Sequence, residues 1–394
     1  MIISAPSVQT GAAGADFVPG SYVVIDGGTV AEVGAADPPR TADVVLPDGV
    51  LVPGFVDLQV NGYYGVEFQI ADADGWMSVA RQLPETGTTA FLPTMITAPV
   101  GELAAAVATA AEFLPSMNEG AHVLGVHLEG PFISTARRGA HNPAYITDPN
   151  PAAVTELLAA GRGALRLVTL APELPGALAA IAELAAAGVL VSVGHSNGTA
   201  DQVAAAAAAG ARKVTHLFNA QRGLGHREPG VVGQALTDPR LTSGLILDLR
   251  HVVAAAAQIA FASAPGRIAL VTDAAACAGM PAGEYLLGGE PITLPAGDGE
   301  PPVRADGTLA GSALRMDRAV ANAVACGLPL AAAVAAATRV PADLIGRQDI
   351  GRLVPGANAD MVWLGRDLVT RATWLRGRLV YTDGDADTLA AVAA

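Results

Sequence analysis

Only two cysteines, Cys277 and Cys326, occur in 394 residues. Two thiols build no disulfide framework, and a chain of this length has no need of one. A reducing compartment, the cytoplasm, is the expectation. Charge is also scarce. Charged residues supply 15% of the chain and hydrophobic ones 51%, which is too apolar for disorder and enough for a substantial core. Basic charge is the scarcer sign, with 23 Lys and Arg against 37 Asp and Glu and a net charge of −14. Such a chain repels nucleic acid and anionic membrane at long range, so neither is an expected partner. An anionic substrate remains admissible beside a local basic cluster. No basic residue precedes Arg40, which speaks against a signal peptide. An uncharged run at 319–338 has the length to cross a bilayer. It is mostly alanine, and Gly327-Leu328-Pro329 interrupts it, so two buried helices joined at that break are expected.

The two ends of the chain resemble each other and differ from the middle. SYVVIDGGTVAEVG near the start alternates around an Asp-Gly-Gly turn, the pattern of a hairpin. DMVWLGRDLVTRATWLRGRLVYTDG near the end does the same, with turns near Gly365 and Gly377. Neither set would be stable alone. Together they predict a small β-sandwich domain built from residues 1–53 and 355–394, joined to the middle at Pro53-Gly54 and Pro355-Gly356. The middle, 54–354, repeats a strand-then-helix rhythm. Strand-like runs fall at Phe55–Val60, Thr88–Thr94, Val123–Glu129, Leu165–Glu173, Leu190–Ser196, Lys213–Asn219, Ser243–His251 and Ile268–Ala274. Most are apolar on both sides, as parallel strands covered on both faces must be. Alanine-rich stretches such as Gly176–Ala187, Ala200–Ala209 and Val252–Ser263 follow them as helices. Eight such units predict an α/β fold, a (β/α)8 TIM-like barrel, with a doubly wound open sheet as the alternative.

Polar residues crowd the strand ends. The first ends Asp57-Leu58-Gln59-Val60-Asn61, the third His127-Leu128-Glu129, the fifth Gly194-His195-Ser196-Asn197, the sixth Thr215-His216-Leu217-Phe218-Asn219 and the seventh Asp248-Leu249-Arg250-His251. In a barrel all of these meet at one mouth, where α/β enzymes keep their chemistry. Two imidazoles and a carboxylate, His195, His216 and Glu129, form a candidate metal set that leaves a coordination position open. Asp273 stands alone in an apolar strand and is a candidate general base, with an N-cap for the next segment as the bland alternative. Arg222, His226 and Arg227 make a basic loop suited to phosphate. Cys277 reads as a packing residue.

Several blocks occur in one order along the chain: PGFVDLQVNGYYG, LGVHLEGPFIS with GAHNP, VSVGHSN, THLFNA with REPG, VTDAAACAG, GTLAGSAL and VPGANADMVWL. On these blocks the chain resembles the N-acetylglucosamine-6-phosphate deacetylase family of the amidohydrolase superfamily. The resemblance implies metal-dependent hydrolysis of the acetamide of N-acetyl-D-glucosamine 6-phosphate, in amino-sugar catabolism and cell-wall recycling. It implies one divalent metal per subunit on Glu129, His195 and His216, most simply zinc, with iron, cobalt, manganese or cadmium also admissible. Asp273 would act as base and then acid on a water activated by the metal, and His141 would polarise the acetyl carbonyl. Gln59, Asn61, Ala140, His141, Asn219, Ala220, Arg227, His251 and Leu309 would line the substrate site. A homodimer is implied, with His141 and Arg227 acting at the neighbouring subunit's site. Many amidohydrolases carry His-x-His on the first strand and bind two metals. Gln59 and Asn61 stand there instead, and neutral amides are poor ligands. The same pair disfavours a dihydroorotase-like enzyme. Deacetylation of the galactosamine epimer, N-acetyl-D-galactosamine 6-phosphate, is compatible with the same residues. A catalytically silent scaffold on this fold would be expected to have lost ligands that this chain keeps.

Overall fold

The first two barrel strands, Phe55–Val60 and Thr88–Ile96, are buried at every position, because helices or the barrel interior cover each face. This computed structural model describes residues 1–384 except 13, 15, 36 and 298. Strands Val126–Glu129, Leu165–Leu170, Leu190–Val193, Lys213–Val214, Thr242–Leu245 and Ile268–Leu270 follow. Neighbours pair in parallel and in sequence order. Closure comes from the mouth. Asp273 N–H donates to Gln59 O at 2.9 Å, Asn61 N–H donates to Ala274 O at 2.8 Å, and Val60 bridges Ala274. The result is a nearly closed eight-stranded barrel rather than an open sheet, and the residues that close it belong to the polar strand ends.

Strands end earlier than the apolar letters suggest. The run Lys213–Asn219 pairs only over Lys213–Val214, and Ser243–His251 only as far as Leu245. Leu217, Ile246 and Leu247 remain buried, so the sequence stays apolar after the pleat has stopped. Positive φ at His195 (46°), His216 (28°), Phe218 (79°), Ala220 (49°), Leu249 (64°) and Asp273 (53°) bends the chain out of the sheet. Non-glycine residues in this region store strain and cluster at functional sites. The expected single strand Val123–Glu129 is split into His122–Val123 and Val126–Glu129. Gly125 makes the break at φ 132°, where an added Cβ would lie 2.5 Å from Ala164 O.

Helices cover the barrel. Ala200–Ala209 starts at a capping box in which Gln202 N–H donates to Thr199 Oγ1 and Thr199 N–H to Gln202 Oε1. The uncharged run folds as two short helices, Met316–Ala325 and Leu330–Ala337, separated at Gly327-Leu328-Pro329. No helix among the described residues is long and apolar enough to cross a membrane.

Strands from both chain ends form one mixed eight-stranded sheet. Val50–Pro53 lies between Ile2–Gln9 and Met361–Leu364, which it meets in antiparallel register from Pro53↔Met361 to Val50↔Leu364. The hairpin Phe17–Asp26/Thr29–Ala35 flanks one side, and Thr370–Leu375 with Arg378–Thr382 the other. Ile3, Val23, Val30, Leu51, Met361 and Trp374 fill a core separate from that of the barrel. The last ten residues of the expected 355–394 segment lie outside the described residues.

Candidate active site

Glu129 ends the third strand, while His195 and His216 follow the fifth and sixth. Glu129 Oε1 lies 3.2 Å from His195 Nε2 and 2.9 Å from His216 Nε2, and the two imidazole nitrogens are 3.1 Å apart. All three residues are buried. The Arg137 carbonyl can only accept, so at 2.9 Å it fixes the proton of His195 on Nδ1. His195 Nε2 therefore presents a lone pair to a carboxylate oxygen and to a second imidazole nitrogen. Such an arrangement calls for a proton or a cation at its centre. A tetrahedral metal with ligand bonds of roughly 2.0–2.1 Å has ligand–ligand edges of roughly 3.3 Å, so the donor set fits a divalent ion. Burial pushes the Glu129 carboxyl upward, but hydrogen bonds and charge from His195 and His216 outweigh it and hold the group well below its ordinary range. His216 responds in the opposite sense. Burial lowers it, and Glu129 overcomes the loss and raises it.

His141 comes near the same point, with Nε2 4.0 Å from Glu129 Oε2 and its ring centroid 4.3 Å from that of His195. By distance alone Glu129, His141 and His195 also form a metal-compatible trio. Hydrogen bonding decides between the two sets. Thr97 N–H donates to His141 Nδ1 at 3.3 Å, with Thr97 Oγ1 2.7 Å away. Nδ1 is thus an acceptor and the proton sits on Nε2. Burial, aided by the His195 charge, holds the ring well below the usual imidazole range and so neutral. His141 is a donor aimed into the site, not a ligand. Its place corrects one expectation. The family resemblance implied that it serves the neighbouring subunit's site, yet it packs against His195 and Thr97 of its own chain, buried within that pocket.

Asp273 follows the eighth strand. Its Oδ1 accepts Asn61 Nδ2–H at 2.7 Å and Gln59 Nε2–H at 3.1 Å. Gln59 Nε2 also donates to Glu129 Oε1 at 3.1 Å, so one amide bridges the two carboxylates. Gln59 Oε1 and Asn61 Oδ1 are buried without partners among the described residues. Flipping either amide would set oxygen against oxygen. Burial, then the Glu129 charge, raises Asp273 to about 6. Beneath the site Lys213 is fully buried with no partner for Nζ among the described residues. Burial lowers it to about 8, against the pull of Glu129, Asp273 and Asp57.

Glu129, His141, His195, His216 and Asp273 face a cleft of about 470 Å³, within the size range of small-molecule sites. Asn61, Ala140, His141, Asn219, Ala220, His251 and Leu309 line it, as do Glu129, His195, His216 and Asp273. Gln59 does not. It lies behind the carboxylates that it bridges. Arg227 is exposed and also outside the cleft lining. His251 Nδ1 lies 2.6 Å from Asp248 Oδ2, which turns Nε2 away from that carboxylate. Sequence reasoning missed Arg137 and Arg138, which bring positive charge to the cleft of this chain. Their adjacency to the His141 loop was the available signal. It also missed Thr97, which orients His141, and it placed Asp248 at a polar strand end without its contact to His251.

The amidohydrolase family model matches residues 50–380. The N-acetylglucosamine-6-phosphate deacetylase of Vibrio furnissii is 36% identical over 361 residues, covering 91% of this chain and 90% of that protein. The N-acetylgalactosamine-6-phosphate deacetylase of Escherichia coli O157:H7 is 39% identical, covering 84% and 87%. Among solved structures, a mutant N-acetyl-D-glucosamine-6-phosphate deacetylase from Mycobacterium smegmatis in complex with N-acetyl-D-glucosamine-6-phosphate is 38% identical. It superposes with a TM-score of 0.91 over 97% of this chain and 99% of that one.

Proposed function

The chain belongs to the amidohydrolase family, and from that premise we propose that it hydrolyses N-acetyl-D-glucosamine 6-phosphate to D-glucosamine 6-phosphate and acetate. One observation carries the proposal. Three ligand-type atoms of Glu129, His195 and His216 lie within 3.2 Å of one another, and a single amide, Gln59, ties that set to Asp273. Glu129, His195 and His216 would hold one divalent ion per chain, most simply zinc. When bound, it supplies Lewis acidity that polarises a carbonyl and lowers the pKa of water toward ~7.

Asp273 takes a proton from the attacking water at its carboxylate. His141 Nε2–H donates to the acetyl oxygen as negative charge gathers there. Asp273 then returns the proton to the sugar nitrogen, so the amide C–N bond breaks to acetate and an amine. Asn61 and Gln59 hold Asp273 at Oδ1 throughout, and their amide hydrogens fill the first-strand side of the site with donors rather than a second metal. His251, Asn219 and the Ala220 backbone contact sugar and phosphate. Arg227, exposed in its own chain, reaches the phosphate of the partner's site in a homodimer. Residues 54–354 form the catalytic domain, and 1–53 with 355–394 the second domain. The enzyme works in the cytoplasm. One relative is a deacetylase of the galacto epimer, so the test compares both 6-phosphorylated N-acetylhexosamines by acetate release. The gluco substrate is expected to have the higher kcat/KM. A higher value for the galacto substrate would reassign the specificity, and inertness toward both would reject the proposal.

A further inference from the structure

The residues that follow His195 are gripped by a carboxylate from the neighbouring strand. Glu173 lies three residues beyond the fourth strand, Leu165–Leu170. Its Oε2 accepts Ser196 Oγ–H at 2.7 Å, and its Oε1 accepts Asn197 N–H at 2.6 Å. Asn197 Oδ1 accepts Arg137 Nε–H at 3.1 Å. The Arg137 carbonyl accepts His195 Nδ1–H at 2.9 Å. A closed ring results, from Asn197 to Arg137, from Arg137 to His195, and from His195 back along the chain to Asn197, and Glu173 anchors that ring from outside at Ser196 and Asn197. Glu173 itself is not among the cleft-lining residues.

We propose that Glu173 is a positioning residue for the metal site, acting through Asn197 and Arg137 to fix the ring plane and tautomer of His195. The backbone at His195 has left the pleat at φ 46°, so sheet geometry no longer aims its side chain. Arg137 ends a three-residue turn, Thr135–Arg137, with no strand to hold it. Its bond to Asn197 ties that turn to the His195 loop. Releasing the ring lets the Arg137 carbonyl drift and the Nδ1 proton lose its acceptor. A metal-binding imidazole depends on the partner of its other nitrogen for orientation and basicity, and loss of such partners costs roughly 10–100-fold in metal affinity.

The inference rests on metal binding by Glu129, His195 and His216, and its test reads affinity rather than turnover. Zinc affinity is measured by competition with a chromogenic chelator, together with the melting temperature of metal-free and zinc-loaded protein. Glu173→Ala should weaken zinc binding by roughly 10–100-fold and shrink the gain in melting temperature on loading. Glu173→Gln keeps an oxygen for Asn197 N–H and an amide that Ser196 Oγ can accept, so it should recover most of the affinity. Arg137→Met keeps the carbonyl but frees it from Asn197, and should fall between these two. Unchanged zinc affinity in Glu173→Ala and Arg137→Met would overturn the proposal while leaving the metal site intact. Should Glu173→Ala fail to fold, Arg137→Met and Asn197→Ala decide by the same criterion. Absence of zinc binding by the unsubstituted protein would overturn both this inference and the metal assignment beneath it.

Discussion

Replacing Asp273 by Asn isolates proton transfer from everything else that this residue does. Both hydrogen bonds to the Asp273 carboxylate end on the same oxygen, Oδ1, at 2.7 Å from Asn61 and 3.1 Å from Gln59. An amide oxygen can accept both. The backbone there is left-handed at φ 53°, a conformation that Asn tolerates better than most residues. The variant should therefore fold and keep its metal, whereas Ala would forfeit the bonds as well. The charged carboxylate is also a burden on the fold. Its pKa is raised from 3.8 to about 6, so stability present below the unfolded value is lost as pH rises toward the folded one. The metal-free Asn variant, with no charge to bury, should melt no lower than the parent at neutral pH. Without a proton acceptor, kcat should fall about 10²–10⁴-fold. Acetate release at saturating substrate, with metal content measured on the same sample, gives the answer. The parent should lose activity as pH falls through an acid limb at or below about 6, because only the ionised carboxyl accepts a proton and a bound cation favours that form. The Asn variant should lack this limb. Near-parental kcat in a metal-replete variant would mean that another group is the base.

His141→Phe removes the Nε2–H donor and should lower kcat about 10²–10³-fold, as loss of an oxyanion donor does, with zinc retained; loss of zinc instead would make His141 a ligand. Arg227→Ala should cost roughly 10–150-fold in kcat/KM for the 6-phosphate substrate, the equivalent of about 1.5–3 kcal/mol for a charge-assisted contact. Mixing that variant with Asp273→Asn should restore activity in heterodimers, one site of which combines Asp273 with the partner's Arg227; heterodimers that stay silent would confine Arg227 to its own chain. Far from the cleft, Asn150 Oδ1 caps the helix Pro151–Gly161 by accepting Ala153 N–H at 3.0 Å. Asn150→Ala should cost about 1 kcal/mol in denaturant unfolding with kcat unchanged, and no loss would mean that solvent serves the helix end equally well.

The barrel was legible because parallel strands buried on both faces leave unbroken apolar runs, and each run here stops at residues that stability does not require. That Glu129, His195, His216 and Asp273 would meet at one mouth was legible for the same reason. Strand ends were not, since Leu217, Ile246 and Leu247 stay buried after the chain has left the sheet. Local sequence also could not say that His141 lies in its own chain's cleft, since the contact that holds its ring there comes from Thr97, 44 residues away. Gln59 and Asn61 were recognisable as poor ligands, but their bridge between Glu129 and Asp273 exists only after the first and eighth strands meet. The terminal strands announced a shared β unit. Their interleaving, with Val50–Pro53 between Ile2–Gln9 and Met361–Leu364, follows from pairing across more than 300 residues that no local pattern encodes.

The most direct test of a single metal centre serving Asp273 is a zinc titration of chelator-stripped protein, followed by acetate release from N-acetyl-D-glucosamine 6-phosphate. Activity should be absent at the start, rise linearly, and break at one zinc per chain, with D-glucosamine 6-phosphate formed in equal amount to acetate. Full activity in the stripped protein, or a break at two zincs per chain, would contradict the account.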